Sequence, residues 1–80
     1  MDINEAVKTR ILELCAKRRW RIKPLADYSG IPVSTLRNII DGRSNNTGIV
    51  TIKKICDGLE IPIDEFFDAP VFKNLEQEIK

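Results

Sequence analysis

Hydrophobic residues near the start of the chain recur at every third or fourth position, with polar residues between them. This is the spacing of one face of an amphipathic helix and not the alternation of a strand. The residues that follow it are Ile3, Val7, Ile11, Leu14 and Cys15. Asp2 or Asn4 can cap the start of such a helix through a side-chain oxygen. We therefore predict a first helix that ends at about Arg19.

A short second helix is predicted from about Ile22 to Ser29. Pro24 is tolerated there because backbone N–H groups in a first helical turn lack helical partners. Leu25 and Ala26 are expected to face inward. Gly30 suits the position directly after a helix, where the chain turns with a positive φ.

The stretch GIPVSTLRNIIDG predicts a third helix from about Val33 to Asp41, closed by Gly42. At about 100° per residue, its large aliphatic side chains share one arc, which we expect to be buried. That arc consists of Leu36, Ile39 and Ile40. The opposite side is polar, with Val33 at its rim; it carries Ser34, Thr35, Arg37 and Asn38.

The segment IVTIKKICDGLEI contains two conflicting patterns. Its first four residues are β-branched and locally favour a strand. Helical spacing extends over a longer stretch, so we predict a fourth helix with an inward face of Ile49, Ile52, Ile55, Cys56 and Leu59. Gly58 weakens this helix near its end. A short fifth helix follows within residues 61–68, where Asp64 and Glu65 occupy a first turn in which the helix dipole favours acids.

Five short helices without a strand predict an all-α fold, a compact orthogonal bundle formed by a single domain. Residues 1–68 would form this domain, and residues 69–80 would form a C-terminal tail. A chain of this length can bury enough surface to fold alone, although its core is small.

The tail has the pattern of a further short helix, which Asp68 could cap. Its apolar side would consist of Phe72, Leu75 and Ile79. An isolated helix this short is marginal in water and needs a surface to pack on. Two alternatives remain open. The tail folds back on its own domain against Ile3 and Val7, or it forms a homodimer seam together with Phe66 and Phe67.

Charge is distributed unevenly, although the formal net charge of the 80 residues is only +1. Residues 17–54 carry nine basic and two acidic side chains, a balance of +7, whereas residues 55–80 carry two basic and seven acidic ones, a balance of −5. This asymmetry fits a cationic face for a polyanion, and it fits an ordinary solvated surface equally well. Because neither a signal peptide nor a membrane span is visible, we expect a cytoplasmic protein without a membrane partner.

Few residues offer catalytic or metal-binding chemistry. The chain has two cysteines and no histidine, so neither cysteine has the partner that a zinc site or a Cys/His nucleophile needs. Cys15 and Cys56 each fall among aliphatic residues, which predicts buried, reduced thiols. No Gly-rich phosphate loop is present, and no histidine is available to activate a serine. We therefore predict no enzyme activity, no cofactor, no metal site and no small-molecule ligand.

Residues 22–41 combine small and aliphatic side chains at a particular spacing. In this twenty-residue window the relevant positions are Leu25 (fourth), Ala26 (fifth), Gly30 (ninth), Ile31 (tenth), Leu36 (fifteenth) and Ile39 (eighteenth). The pattern resembles the helix-turn-helix of the XRE family, the Cro and phage-repressor type, and implies a lambda-repressor-like DNA-binding domain. The segment LADYSGIPVSTLRNIIDGRS resembles that motif, and TIKKICDGLEIPIDEFF resembles the family's fourth and fifth helices. The resemblance covers roughly residues 5–68.

The resemblance implies binding to double-stranded DNA, with the third helix in the major groove. The base-reading positions that it implies are Val33, Ser34, Thr35, Arg37 and Asn38. Phosphate contacts are implied at the start of the second helix, in the loop after the third helix and near the start of the fourth helix. The candidates there are Lys23, Arg43, Ser44, Asn45, Thr51 and Lys53. These residue types suit the roles, since asparagine can pair bidentately with adenine and arginine with guanine or a phosphate.

Three sites depart from the family's pattern. Arg21 and Ile22 stand where the family has a capping Ser or Thr followed by Gln. Pro32 replaces the usual polar cap of the third helix, and Val33 replaces a frequent base-reading glutamine. These differences leave the preferred DNA sequence open.

Two functions remain in competition. The first is a transcriptional regulator, a repressor rather than an activator, that binds specific DNA sequences as a homodimer. The second is a protein-interaction module of the same fold, such as an anti-repressor or an antitoxin, with weak or no DNA binding. The feature that distinguishes them is the face formed by Ser34, Arg37 and Asn38, because a pure interaction module is expected to have an apolar face there.

Overall fold

The computed structural model describes residues 1–79 and contains five α-helices followed by one 3₁₀ turn. The elements are α1 (Ile3–Arg18), α2 (Ile22–Ser29), α3 (Val33–Ile40), α4 (Ile49–Leu59), α5 (Ile63–Phe67) and the turn Pro70–Phe72. The described residues form no strand, so the predicted all-α fold is confirmed. Among these helices none is both long and apolar enough to span a bilayer.

Three of the helices end in the same way. After α1, α2 and α4, one residue takes a left-handed conformation: Arg19 at φ 56°, Gly30 at φ 68° and Glu60 at φ 58°. The N–H of the next residue then bonds back into the last turn, as Ile31 N does to the carbonyl of Ala26 at 3.2 Å. Gly30 was predicted for this role. The other two positions lack glycine, which costs roughly 1–2 kcal/mol each in a left-handed conformation.

The start of α1 is capped as predicted. The Asp2 carboxylate accepts a hydrogen bond from the backbone N–H of Glu5 at 2.8 Å. A cap of this kind is typically worth about 1 kcal/mol. The remaining helices start after Arg21, Pro32, Gly48 and Pro62, none of which supplies a side-chain cap. Their stability therefore depends on packing.

A single hydrophobic core joins all five helices. Its buried members on the helices are Val7, Ile11, Leu14, Cys15, Leu25, Ala26, Leu36, Ile39, Ile52, Ile55, Cys56, Leu59 and Phe66. The predicted inward face of α4 is wrong at its first position, because Ile49 is 61% exposed. Ile49 is the first residue of α4, directly after the loop, and its side chain is not part of the core cluster.

Arg10 ties α1 to the end of α5 from within the core. Its guanidinium is buried, and it donates to the carbonyl oxygens of Phe66 at 2.7 Å and Glu65 at 2.8 Å. Those carbonyls belong to the last turn of α5, where the carbonyl of Glu65 also accepts the backbone N–H of Asp68 at 3.2 Å. The Glu13 carboxylate lies 3.6 Å from the same guanidinium and partly balances its charge. Nothing in the spacing of hydrophobic residues indicated this contact.

α2 packs most extensively on α4, and the two helices approach closely at Ser29 and Gly58. A Cβ atom added at Gly58 would lie 2.9 Å from the backbone nitrogen of Ser29 and 3.0 Å from its Cα. Side chains do not tolerate such distances, so only glycine fits here. The sequence indicated Gly58 only as a weak point of the helix, whereas the structure shows that it permits the crossing.

The C-terminal tail forms no regular helix within residues 73–79, so its predicted helical stripe is wrong. The turn Pro70–Phe72 lies against α1, and the Phe72 ring packs on Phe67 with a centroid distance of 5.0 Å. Beyond it, Glu76 N donates to the carbonyl of Met1 at 3.1 Å, and Ile79 is 89% exposed. This packing favours the fold-back alternative. Since Phe66 is fully buried in its own domain, it cannot line the predicted seam.

Both cysteines lie in the core as free thiols, as the sequence predicted. Burial raises the pKa of the Cys15 thiol, although the charge of Arg18 opposes the shift. Burial likewise raises the pKa of the Cys56 thiol. Because the thiolate is the reactive form, two buried thiols with raised pKa values are suited to packing and not to chemistry.

Replacement of Gly58 by alanine tests the close crossing of α2 and α4. We expect Gly58→Ala to destabilise the domain by about 1–3 kcal/mol, because the backbone of Ser29 cannot move aside without shifting α2. This loss would exceed the gain of up to about 1 kcal/mol that alanine brings to a helix. The measurement is urea-induced unfolding followed by circular dichroism.

Lys54→Ala is the matched control, since Lys54 lies exposed on the same helix. A surface change of this kind should stay within about 0.5 kcal/mol of the parent chain. A Gly58→Ala chain as stable as the parent would show that α2 and α4 do not depend on this contact.

Candidate functional site

α3 presents a polar face that is held from behind by the core. Leu36 is fully buried and Ile39 is 5% exposed. Full burial of a side chain of this size is worth roughly 1.5–3 kcal/mol, so two such residues anchor this short helix firmly. The predicted side chains Ser34, Thr35, Arg37 and Asn38 all point away from that anchor and are exposed. The structure therefore brings four of the five predicted base-reading residues onto one accessible surface.

Val33 differs from its four companions. Its side chain is half-buried and packs against the core cluster. Its position at the first residue of α3 explains this, because the chain there has just left the buried Ile31. Val33 therefore offers only part of its surface to a ligand and contributes more to anchoring than the sequence indicated.

The loop after α3 is fastened to the end of that helix. The carbonyl oxygen of Asn38 accepts hydrogen bonds from the backbone N–H groups of Arg43 at 2.9 Å and Ser44 at 3.1 Å. Gly42 makes this return possible with a φ of 76°. Arg43 and Asn45 are exposed, and Ser44 is half-buried. The loop and the polar face of α3 therefore form one continuous surface, which we call the α3 surface.

The other predicted phosphate-binding residues lie near the N-terminal ends of α2 and α4. Lys23 is the second residue of α2, while Thr51 and Lys53 are the third and fifth residues of α4. Both lysines are exposed and Thr51 is half-buried. Because the N-terminal end of a helix carries partial positive charge, these positions suit an anionic ligand.

Each predicted phosphate-binding cation has an acidic neighbour. Lys23 pairs with Asp27 at 3.1 Å, Lys53 pairs with Asp57, and Arg43 lies 3.9 Å from Asp41. Arg37 differs from them, since it forms no ion pair within residues 1–79. The cations around the α3 surface are thus partly neutralised, whereas the central arginine is not.

An exposed aliphatic pair at the start of α4 was not evident from the sequence. Ile49 is 61% exposed and Val50 is 65% exposed. They precede Thr51 directly, so they border the predicted phosphate-binding positions of α4. The exposure of Ile49 could not be predicted, because its position fits the spacing of the buried face of α4.

A second surface lies at the C-terminal ends of α1, α2 and α4. Trp20 and Tyr28 stack with a centroid distance of 4.9 Å and an interplanar angle of 13°. Arg18 donates to the carbonyl of Leu59 at 2.5 Å and lies 5.9 Å from the Trp20 centroid. Around them is an open pocket of about 440 Å³. Leu59, which lines this pocket, is the last residue of α4, whereas Thr51 lies near the first residue of the same helix. The pocket is therefore separate from the α3 surface.

No metal centre is formed by the described part of the chain, where no three His, Cys, Asp or Glu side chains cluster suitably. The polar groups of the α3 surface are amides, hydroxyls and guanidinium groups. Such groups recognise a ligand by hydrogen bonds and charge, which is the chemistry of a binding surface.

Comparisons with known proteins agree with this geometry. The family model of the Cro/C1-type HTH DNA-binding domain matches residues 10–70. The chain is also similar to a solved structure described as the crystal structure of the prophage Lp1 protein 11, with 32% sequence identity and a TM-score of 0.80. That match covers 94% of this chain and 100% of the other. No match was found among curated proteins.

Proposed function

Because this chain belongs to the family of Cro/C1-type helix-turn-helix DNA-binding domains, we propose that it regulates transcription by binding specific DNA sequences with α3 in the major groove. The observation that carries the proposal is the α3 surface. There a helix anchored by Leu36 and Ile39 exposes four hydrogen-bonding side chains together. The sequence pattern of residues 22–41 predicted this family, and the family model that matches residues 10–70 confirms the prediction.

Arg37 and Asn38 are the residues that we propose to read bases. Each can pair bidentately with one base edge, arginine with guanine and asparagine with adenine. Ser34 and Thr35 supply shorter hydroxyl contacts, and the accessible part of Val33 could touch a thymine methyl group. The unpaired state of Arg37 within the described residues supports this role, since its guanidinium needs no release from an internal partner.

The surrounding residues are proposed to hold the DNA backbone. Arg43, Ser44 and Asn45 extend the α3 surface, and Lys23, Thr51 and Lys53 flank it from α2 and α4. Such contacts position the protein without selecting a sequence. The positive balance of residues 17–54 supports this arrangement, because neutralising phosphates provides much of the affinity of DNA-binding proteins.

We favour a repressor over an activator, because blocking a promoter requires only occupancy of the DNA. The competing function is a protein-interaction module of the same fold. It is less well supported, since the exposed side chains of α3 are polar and include Arg37, whereas the buried centre of a protein interface is more apolar and depleted of charged residues. Catalysis is not part of the proposal, because proteins of this family typically act by binding.

Substitutions in α3 and outside it should separate base reading from backbone binding. Selection of bound sequences from a random duplex pool first supplies the operator. We expect Asn38→Ala to lose about 1–3 kcal/mol at its own base pair and to accept other bases there. Lys53→Ala should instead weaken all sequences by a similar factor. The measurement is fluorescence anisotropy on the operator and on a set of single-base variants.

Arg37→Ala and Arg43→Ala form a second pair for the same assay, with the first expected to alter preference and the second to weaken binding uniformly. Identical profiles for Asn38→Ala and Lys53→Ala across the variant operators would contradict the assignment of roles.

We also propose that the chain binds DNA as a homodimer, because one helix-turn-helix contacts only a few base pairs and paired half-sites are spaced about 34–36 Å apart. Insertion of about five base pairs between half-sites places them on opposite sides of the duplex, and we expect it to lower affinity at least tenfold. Insertion of a full turn should restore part of the loss if the dimer tolerates the separation. Binding that both insertions leave unchanged would show independent monomers.

A further inference from the structure

Both proposed phosphate-binding lysines, Lys23 and Lys53, are engaged with carboxylates of their own chain. On α2, Lys23 Nζ lies 3.1 Å from Asp27 Oδ2 and 3.3 Å from Oδ1. On α4, Lys53 Nζ pairs with Asp57 through the single oxygen Oδ1. In both cases the lysine precedes the aspartate by four residues. A lysine–aspartate pair with this spacing therefore lies on each of the two helices that flank the α3 surface.

The order of these charges is not the one that helix stability favours. Pairs four residues apart stabilise a helix better when the acid comes first, because acids suit the positive N-terminal end of the helix dipole. Here the bases stand toward the N-terminal ends and the acids stand one turn later. This order places each lysine at a proposed phosphate-binding position and its aspartate one helical turn further along.

Folding gains little from either pair. All four side chains are more than half exposed, at 71% and 61% on α2 and 56% and 59% on α4. Exposed pairs of this kind contribute little to stability, because solvent screens them and ordering long side chains costs entropy. A role in ligand binding explains their placement better than a role in folding.

We propose that Asp27 and Asp57 are internal counter-ions that compete with DNA phosphates for Lys23 and Lys53, and thereby lower the affinity for any duplex. The inference rests on the proposed DNA binding. For a lysine to reach a phosphate fully, it must loosen its contact with the carboxylate. The carboxylate then remains near the DNA backbone and repels it. The competition for the lysine and the repulsion of the DNA backbone weaken binding to every DNA sequence alike. Base contacts must therefore supply a larger share of the affinity than they would without the two carboxylates.

The test replaces each carboxylate by its neutral amide and measures binding at low salt. We expect Asp27→Asn and Asp57→Asn each to tighten binding by about two- to fivefold, with the operator and an unrelated duplex changing by the same factor. The gain should shrink as salt is raised, since screening weakens both the internal pair and the repulsion. Circular dichroism and urea unfolding check that each variant folds as the parent does.

Glu60→Gln is the matched control for net charge. Glu60 follows α4 at the end away from Lys53, so its substitution changes the total charge equally without touching either pair. We expect it to change affinity by less than about twofold, because its charge lies far from the proposed contacts. Equal effects of Asp57→Asn and Glu60→Gln would overturn the proposal and leave only a general effect of charge. Weaker binding by the asparagine variants would also overturn it, by showing that the carboxylates hold the lysines in place for DNA.

A double-mutant cycle shows whether the effect passes through the lysine. In a Lys53→Gln background, the gain from Asp57→Asn should fall to a fraction of its value in the parent chain. A gain that stays unchanged there would overturn the competition for Lys53. Failure of the parent chain to bind any duplex at low salt would contradict the proposed function itself, which is a different outcome from a parent that binds and variants that bind no better.

Discussion

The close crossing of α2 and α4 at Ser29 and Gly58 is the constraint on which the placement of α3 depends. Since no side chain fits at Gly58, the two helices meet nearly backbone to backbone. α2 also packs on α3, and Gly30 turns the chain sharply between them. A displacement of α2 would therefore move α3 with it. α3 is therefore held in place by this contact and by the burial of Leu36. No side chain caps its N-terminal end, so capping does not contribute.

Most of the fold could be predicted because its causes are local. The buried arc of α3 follows from Leu36 and Ile39 at helical spacing, although the third predicted member, Ile40, is only half-buried. The end of α2 follows from Gly30. The contacts that the sequence did not reveal are those between distant residues. Arg10 reaches the carbonyls at the end of α5 across 56 positions of sequence, and no periodic pattern encodes that contact. Arg19 and Glu60 adopt left-handed turns without the glycine that marks such a turn.

The predictions for the tail and for the start of α4 were wrong for the same physical reason. A hydrophobic pattern shows that residues can share a face, but it does not show that a surface is available to cover it. Ile49 fits the period of α4 and is nevertheless exposed, whereas Ile52, one turn later, belongs to the core. In the tail, Phe72 packs against Phe67, whereas Ile79 is exposed. For the site, the exposed face of α3 could be predicted, while the half-buried state of Val33 required knowledge of the packing around it.

The proposed contact between the α3 surface and DNA can be mapped by following backbone amide shifts by NMR while duplex operator DNA is added. We expect the largest changes in the first half of α3, at residues 43–45 and at the start of α4, with little change at Tyr28, Glu60 and the tail. Changes concentrated around Trp20 and Tyr28, with the α3 amides unmoved, would contradict the proposed contact.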